Sequence, residues 1–324
     1  MEAIPNQTME IKGQIFEVVK PTRLLNGMVL KSGNTYARVG EKQPTMAEQI
    51  HSVSLFNRGF PVPTVLDSGE LPDNKWYFTE TSLGTDTFHK QFTNEYQATG
   101  EITSQTFSKY LDVVTKYASA QSDNKNKTTV SPKDFIDTLL PQERVLPNYC
   151  YFGYNQEDYL RALQLAADKL SSASMGVIQH DMNPFNVLEN GVIDFELVGY
   201  GPVGFDTLMS VRWSSGWFTD YPSRCPVAYK LSAEQIRAND TIVDETAVNS
   251  GRTLPSSYMQ EFLLLKSAWA ASELNAPDPN WPADKLAFRN YRANVLNHAV
   301  DQYLNGKEID FTKLSEIAGG ELSQ

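Results

Sequence analysis

Apolar residues alternate with polar ones through roughly the first 80 positions and then switch to helical spacing, and this switch organises the chain. In the first stretch "GQIFEVV", "GMVLKS", "TYARVG", "TVLDSG" and "KWYFTE" are short and rich in β-branched and aromatic residues. Gly, Asn, Asp or Pro separate them, so each reads as a strand. One helical stretch interrupts them, "PTMAEQIHSVSLFNRG". Pro44 suits its first turn, Ile50, Val53 and Phe56 share a face, and Gly59 suits the stop. The pattern predicts a small, mainly antiparallel sheet with one helix over residues 1–82.

From residue 83 to 324 the pattern is mainly helical. "SKYLDVVTKYASA" puts Tyr110, Val113, Val114 and Tyr117 on one stripe, and "DYLRALQLAADKL" does the same with Tyr159, Leu163, Ala166 and Leu170. "YMQEFLLLKSAWAASEL" and "FRNYRANVLNHAVDQYL" predict two more helices near the end, and residues 119–134, polar and turn-rich, predict an exposed loop. "GVIQHDMNPFNVLENGVIDFELVGYGP", residues 176–202, is an island of strands among these helices. The expected class is α+β, a β-rich lobe followed by a larger helical one.

Composition narrows the function classes. The 324 residues carry a net charge of −11 and a pI near 4.9, which argues against a nucleic-acid-binding face. Cys150 and Cys225 stand far apart with no ligand-spaced partner, so neither a disulfide framework nor a zinc site is expected. "MEAIPNQTMEIKGQ" has no signal-peptide core, and no run approaches ~18 apolar residues. The expectation is a soluble, cytoplasmic chain without a membrane partner.

The strand island carries the chemistry. Asn190-Gly191 is a strong hairpin signal, because both turn positions favour positive φ. With those two residues at the turn, Glu189 faces Val192, Leu188 faces Ile193 and Val187 faces Asp194. Asn186 and Asp194 then share the open end of the ribbon, with Asp181 five residues upstream. Hard cations such as Mg²⁺ take one or two such oxygens and complete an octahedron with water and phosphate. A carboxylate beside them can accept a proton from an attacking hydroxyl.

"HDMNPFN" followed by "VIDFE" and "GYGPVGFD" resembles the catalytic core of the aminoglycoside phosphotransferase family, small-molecule kinases with the two-lobed protein-kinase-like fold. "GFPVPTVLDSG" is similar to the family's Gly-x-Pro-x-Pro stretch, and "KWYFTETSLGTDTF" to its hinge strand. The resemblance implies an ATP- or GTP- and Mg²⁺-dependent transfer of phosphate to the hydroxyl of an aminoglycoside, amino sugar or related small molecule, by a monomer or homodimer. It makes Asp181 the catalytic carboxylate and Asn186 and Asp194 the metal ligands. His180 braces the loop, and Asp206 caps the following helix and ties the loop down. Adenine would meet backbone groups from Glu80 to Ser82.

The resemblance also asks for a phosphate-binding cation held by Glu48. Strand order favours Arg38, whereas the chemistry of a flexible ammonium favours Lys31. Glu196, Trp213, Trp217 and Asp220 are candidate acceptor contacts, by stacking on a sugar or facing a cationic group; Trp269 and Trp281 read as core. Three departures stand out: no Gly between His180 and Asp181, a short metal hairpin, and a phosphate loop, "KPTRLLNGMVL", with the single glycine Gly27. The poor phosphate loop and the open choice between Arg38 and Lys31 keep a second reading, a nucleotide-binding pseudokinase that serves as a binding module. A protein kinase proper is disfavoured, since Asp-Phe-Gly and Ala-Pro-Glu are absent.

Overall fold

The computed structural model describes residues 7–22, 27–140, 155–195, 198–217, 229–272 and 283–310. Six antiparallel strands build one sheet: β1 (Thr8–Ile11), β2 (Gln14–Thr22), β3 (Gly27–Ser32), β4 (Thr35–Glu41), β5 (Val65–Leu71) and β6 (Lys75–Thr81). Their order is β1-β2-β3-β4-β6-β5. The five strands expected from the alternation are present. β1 is additional, joined to β2 by Lys12 and Gly13 at φ 48° and 82°, the positive-φ pair that matches strand twist in a tight hairpin. Asp73 and Asn74 do the same between β5 and β6. Phe16, Leu30, Ala37, Val39 and Tyr77 fill the core of this half.

The helix α1 (Lys42–Asn57) crosses from β4 to β5 and packs on β4 and β6. Its inward face differs from the one expected. Ile50, Val53 and Phe56 are 61%, 39% and 48% exposed, while Thr45, Glu48, Ser52 and Leu55 are buried. An ion pair decides this orientation: Glu48 reaches Arg38 on β4, which turns the apolar stripe outward.

The second half is helical. The chain runs through α2 (Phe88–Thr99), α3 (Ser104–Ser122), α4 (Pro132–Leu139), α5 (Gln156–Lys169), α6 (Phe205–Trp217), α7 (Ala233–Asn249), α8 (Met259–Ser272) and α9 (Ala283–Leu304). Tyr110, Val113, Val114 and Tyr117 of α3 are buried as their spacing predicts. The loop expected over 119–134 is shorter. The helix α3 continues to Ser122 with Gln121 and Ser122 buried, and a Ser131–Asp134 capping box starts α4. Two short antiparallel pairs sit among the helices: β7 (Met175–Ile178) with β10 (Gly199–Pro202), and β8 (Val187–Leu188) with β9 (Gly191–Val192). Together the two halves make the expected α+β architecture, a six-stranded antiparallel sheet followed by a larger helical half. Among the described residues no helix is long and apolar enough to cross a membrane. Cys150, Cys225 and Trp281 lie outside the described residues.

Candidate functional site

The strand β7 ends at Ile178 and the chain turns at once. The Asp181 N–H donates to Gln179 O at 2.8 Å, a three-residue turn that puts His180 at φ 62°. Such a backbone persists in a non-glycine residue when its surroundings over-determine it. Here Gln179 is fully buried, and its side-chain amide donates to Ile193 O at 2.8 Å and Asp194 O at 2.6 Å. The His180 ring packs against Phe135, with ring planes 25° apart. Gly199 leaves room for that ring, since a Cβ there would stand 2.8 Å from His180 Cε1.

Asp206, at the start of α6, ties this turn to the helical core. Its carboxylate accepts from Gln179 N at 2.9 Å, Tyr117 Oη at 2.7 Å, Gln121 Nε2 at 3.0 Å and Thr207 N at 3.0 Å. Burial pushes the Asp206 pKa up, and these four donors pull against it. Asp206 therefore binds the first turn of α6 through Thr207 N and holds the loop before Asp181 through Gln179 N.

Beyond Asp181 the loop is bound by its own amides. Asn183 Nδ2 and Asn186 Nδ2 both donate to Asp181 O, at 3.2 and 3.1 Å, while Phe185 N donates to Asn183 Oδ1 at 2.9 Å. The hairpin that follows differs from the expected one. Val187 pairs with Val192 and Leu188 with Gly191, so Glu189 and Asn190 form the turn and the register moves by two residues. The reason is tertiary. Asn190 N donates to Leu83 O at 3.0 Å and Val192 N to Pro61 O at 2.8 Å, which draws this turn against the segments flanking β5 and β6. Gly191 permits the approach, because a Cβ there would lie 2.1 Å from Pro61 O. The new register still leaves Asn186 and Asp194 at one end: Ile193 N donates to Asn186 O at 2.9 Å, and Asp194 follows at φ 70°. Asp181, Asn186 and Asp194 are thus tied into one corner by Gln179 and the two asparagine amides.

On the sheet side, Arg38 is buried between two carboxylates. Nη1 lies 2.8 Å from Glu48 Oε1 and Nε 3.2 Å from Glu80 Oε1. Burial disfavours its charge, but Glu48, Glu80 and nearby Asp194 outweigh burial and keep the guanidinium ionised. Lys31 instead lies over the Tyr36 ring, 5.4 Å from its centroid. Arg38 is therefore the cation that Glu48 holds. Glu80 reaches Arg38 through its side chain, whereas the expectation for it concerned its backbone. The Ser82 N–H donates to Asn34 O at 2.9 Å, so β-type bonding runs one residue past β6. Gly27 belongs to strand packing, since a Cβ there would meet Val39 O at 1.9 Å; residues 23–26 of the same loop lie outside the described residues.

Trp213 is 5% exposed and packs in the helical core, not on a ligand surface. Glu196, Asp220 and the Trp217 side chain lie outside the described residues. Two residues that sequence reasoning missed stand in the corner: Gln179 and Lys266. Lys266, on α8, has a side chain only 4% exposed, and its Nζ donates to His180 O at 2.9 Å and lies 3.4 Å from Asp181 Oδ1. The available signal was a lone cation inside the apolar run "FLLLKSAWAA".

His89 gives the loop a pH dependence. Its backbone N–H donates to Pro184 O at 2.9 Å and its ring stacks on Phe185, centroids 3.4 Å apart. Burial lowers its pKa from 6.5 to about 4. As pH falls between those values the unfolded chain takes up a proton that the folded chain refuses, so stability falls with pH through that window. In a Tm–pH series from pH 7 to 4, His89→Asn is expected to flatten part of this decline. Identical slopes for the two proteins would show that burial does not hold His89 neutral.

Several solved structures share this fold. One is aminoglycoside phosphotransferase APH(4)-Ia, with TM-score 0.52 and 13% identity over 91% of this chain and 93% of that one. A thermostable mutant of the same enzyme, in ternary complex with AMP-PNP and hygromycin B, gives 0.53 and 12% over 91% and 92%. The GDP and kanamycin complex of APH(2")-IIIa gives 0.51 and 9% over 97% and 94%. No family model matches the chain, and no curated protein matches it in sequence.

Proposed function

We propose that this chain is a small-molecule kinase that transfers the γ-phosphoryl group of ATP, or of GTP, to an acceptor hydroxyl with Mg²⁺ as cofactor. The observation that carries the reading is the convergence of Asp181, Asn186 and Asp194 on one corner facing the buried Arg38–Glu48 pair. The fold supports it, since structures of this fold hold AMP-PNP with hygromycin B and GDP with kanamycin. Residues 1–82 would bind the nucleotide and residues 83–324 would bring the catalytic loop and the acceptor site. An aminoglycoside or amino sugar is the acceptor class that the net charge of −11 suits. The cytoplasm is the compartment that supplies the nucleotide.

The residues fit a hard cation. Asn186 spends its NH₂ on Asp181 O, which turns its carbonyl oxygen the other way, and Asp194 adds a carboxylate at the same end of the hairpin. Among the described residues no three His, Cys, Asp or Glu side chains gather as a metal cage. Mg²⁺ asks for fewer, one or two protein oxygens beside water and phosphate. When bound, it supplies charge neutralisation at the β- and γ-phosphate oxygens. Asp181 then accepts the acceptor's hydroxyl proton as its oxygen bonds to the γ-phosphorus and the bond to the β,γ-bridging oxygen breaks, releasing the nucleoside diphosphate. Arg38, set by Glu48 and Glu80, lends positive charge to the nucleotide phosphates.

One observation favours a second reading, a nucleotide-binding pseudokinase. The Ser82 N–H, one of the backbone groups expected at the hinge, is engaged by Asn34 O. A screen of coupled ADP release over aminoglycosides, amino sugars and neutral sugars separates the two. Acceptor-dependent release supports the kinase; nucleotide binding with no transfer to any acceptor and no ATP hydrolysis supports the pseudokinase.

A further inference from the structure

We propose that Lys266 is a positioning residue that selects which oxygen of Asp181 meets the acceptor, an inference that rests on the kinase reading above. A buried ammonium is costly unless well compensated. This one has one carbonyl, His180 O at 2.9 Å, one carboxylate oxygen, Asp181 Oδ1 at 3.4 Å, and the face of Trp269 at 3.9 Å from the ring centroid. Burial lowers its pKa, with the Asp181 charge opposing the shift. As a stability device it is poor, and an apolar side chain of the same length would pack there as well.

What it touches explains its place. His180 O belongs to the left-handed residue of the turn, and Asp181 Oδ1 to a side chain that is 37% exposed. Binding both fixes the backbone on one side and the carboxylate rotor on the other, and leaves Oδ2 for the acceptor. Arg38 cannot take this part, because Glu48 and Glu80 already hold its guanidinium.

Steady-state kinetics and thermal unfolding of the full-length wild-type protein and Lys266→Met test the proposal. The expected result is a Tm equal to or above that of wild type, kcat lower by about 100-fold, and little change in KM for Mg-ATP. Retention of wild-type kcat overturns it. If Lys266→Met lowers Tm, Lys266→Ala assayed with added propylamine decides: restored turnover supports the proposal, and no rescue overturns it. A readout independent of turnover is the hydrogen exchange of the Asp181 amide, which is expected to accelerate in Lys266→Met. If the wild type itself transfers no phosphate, the kinase reading falls, and unchanged exchange at Asp181 then separately overturns the role of Lys266.

Discussion

Asp181→Asn is expected to lower kcat about a thousandfold, within the range for losing a positioned general base, while Mg-ATP binding stays close to wild type. The substitution keeps the shape of the side chain and removes its capacity to accept a proton. The Asn183 and Asn186 amides bind the backbone carbonyl of residue 181, not its side chain, so the loop retains those bonds. One contact weakens: Lys266 loses the charge 3.4 Å away and stays buried beside a neutral amide. A stability loss of about 1–3 kcal/mol accompanies the rate effect, measurable by urea unfolding. Separate kcat and KM values decide the matter. A fall in nucleotide affinity equal to the fall in rate would place Asp181 among the binding groups instead.

Asp206→Ala is expected to cost about 4 kcal/mol in unfolding free energy, the range for breaking a buried charged network. Four donors converge on this carboxylate, and the deletion leaves the backbone N–H groups of Gln179 and Thr207, the Tyr117 hydroxyl and one Gln121 amide hydrogen without it. Gln121 keeps two other bonds, to Val177 O and from Gly204 N, so the region does not lose every restraint. Activity is expected to suffer with stability, because Gln179 carries both the His180 turn and the Asp194 carbonyl. Denaturant unfolding at neutral pH measures the effect. A change below about 1 kcal/mol would mean that the network relaxes around the gap or admits water.

How much of this could be read from the chain depends on whether a feature is local. Strand limits in the first half were legible because each strand ends in residues that turn, such as Asp73-Asn74. Asp181, Asn186 and Asp194 were legible as a set, because oxygen-bearing side chains beside short apolar runs are unusual. The hairpin register was not. Asn190-Gly191 speaks for a turn locally, but the carbonyls of Pro61 and Leu83 take the N–H groups of Val192 and Asn190 and move the turn back by one residue. The buried face of α1 was misread for a similar reason, since apolar spacing says nothing of an Arg38 waiting inside for Glu48. Lys266 was hidden by its setting, an apolar run that reads as core, and the helix does pack as core on either side of it.

The corner built by the hairpin is the centre of the account, and nucleotide titration calorimetry tests it most directly. ATP is titrated into the full chain with Mg²⁺, into the same chain with EDTA, and into Asp194→Ala with Mg²⁺. One-to-one, saturable binding in the first case, lost or strongly weakened in the other two, is the predicted result. Absence of binding in the wild type, or equal affinity in all three, would contradict it.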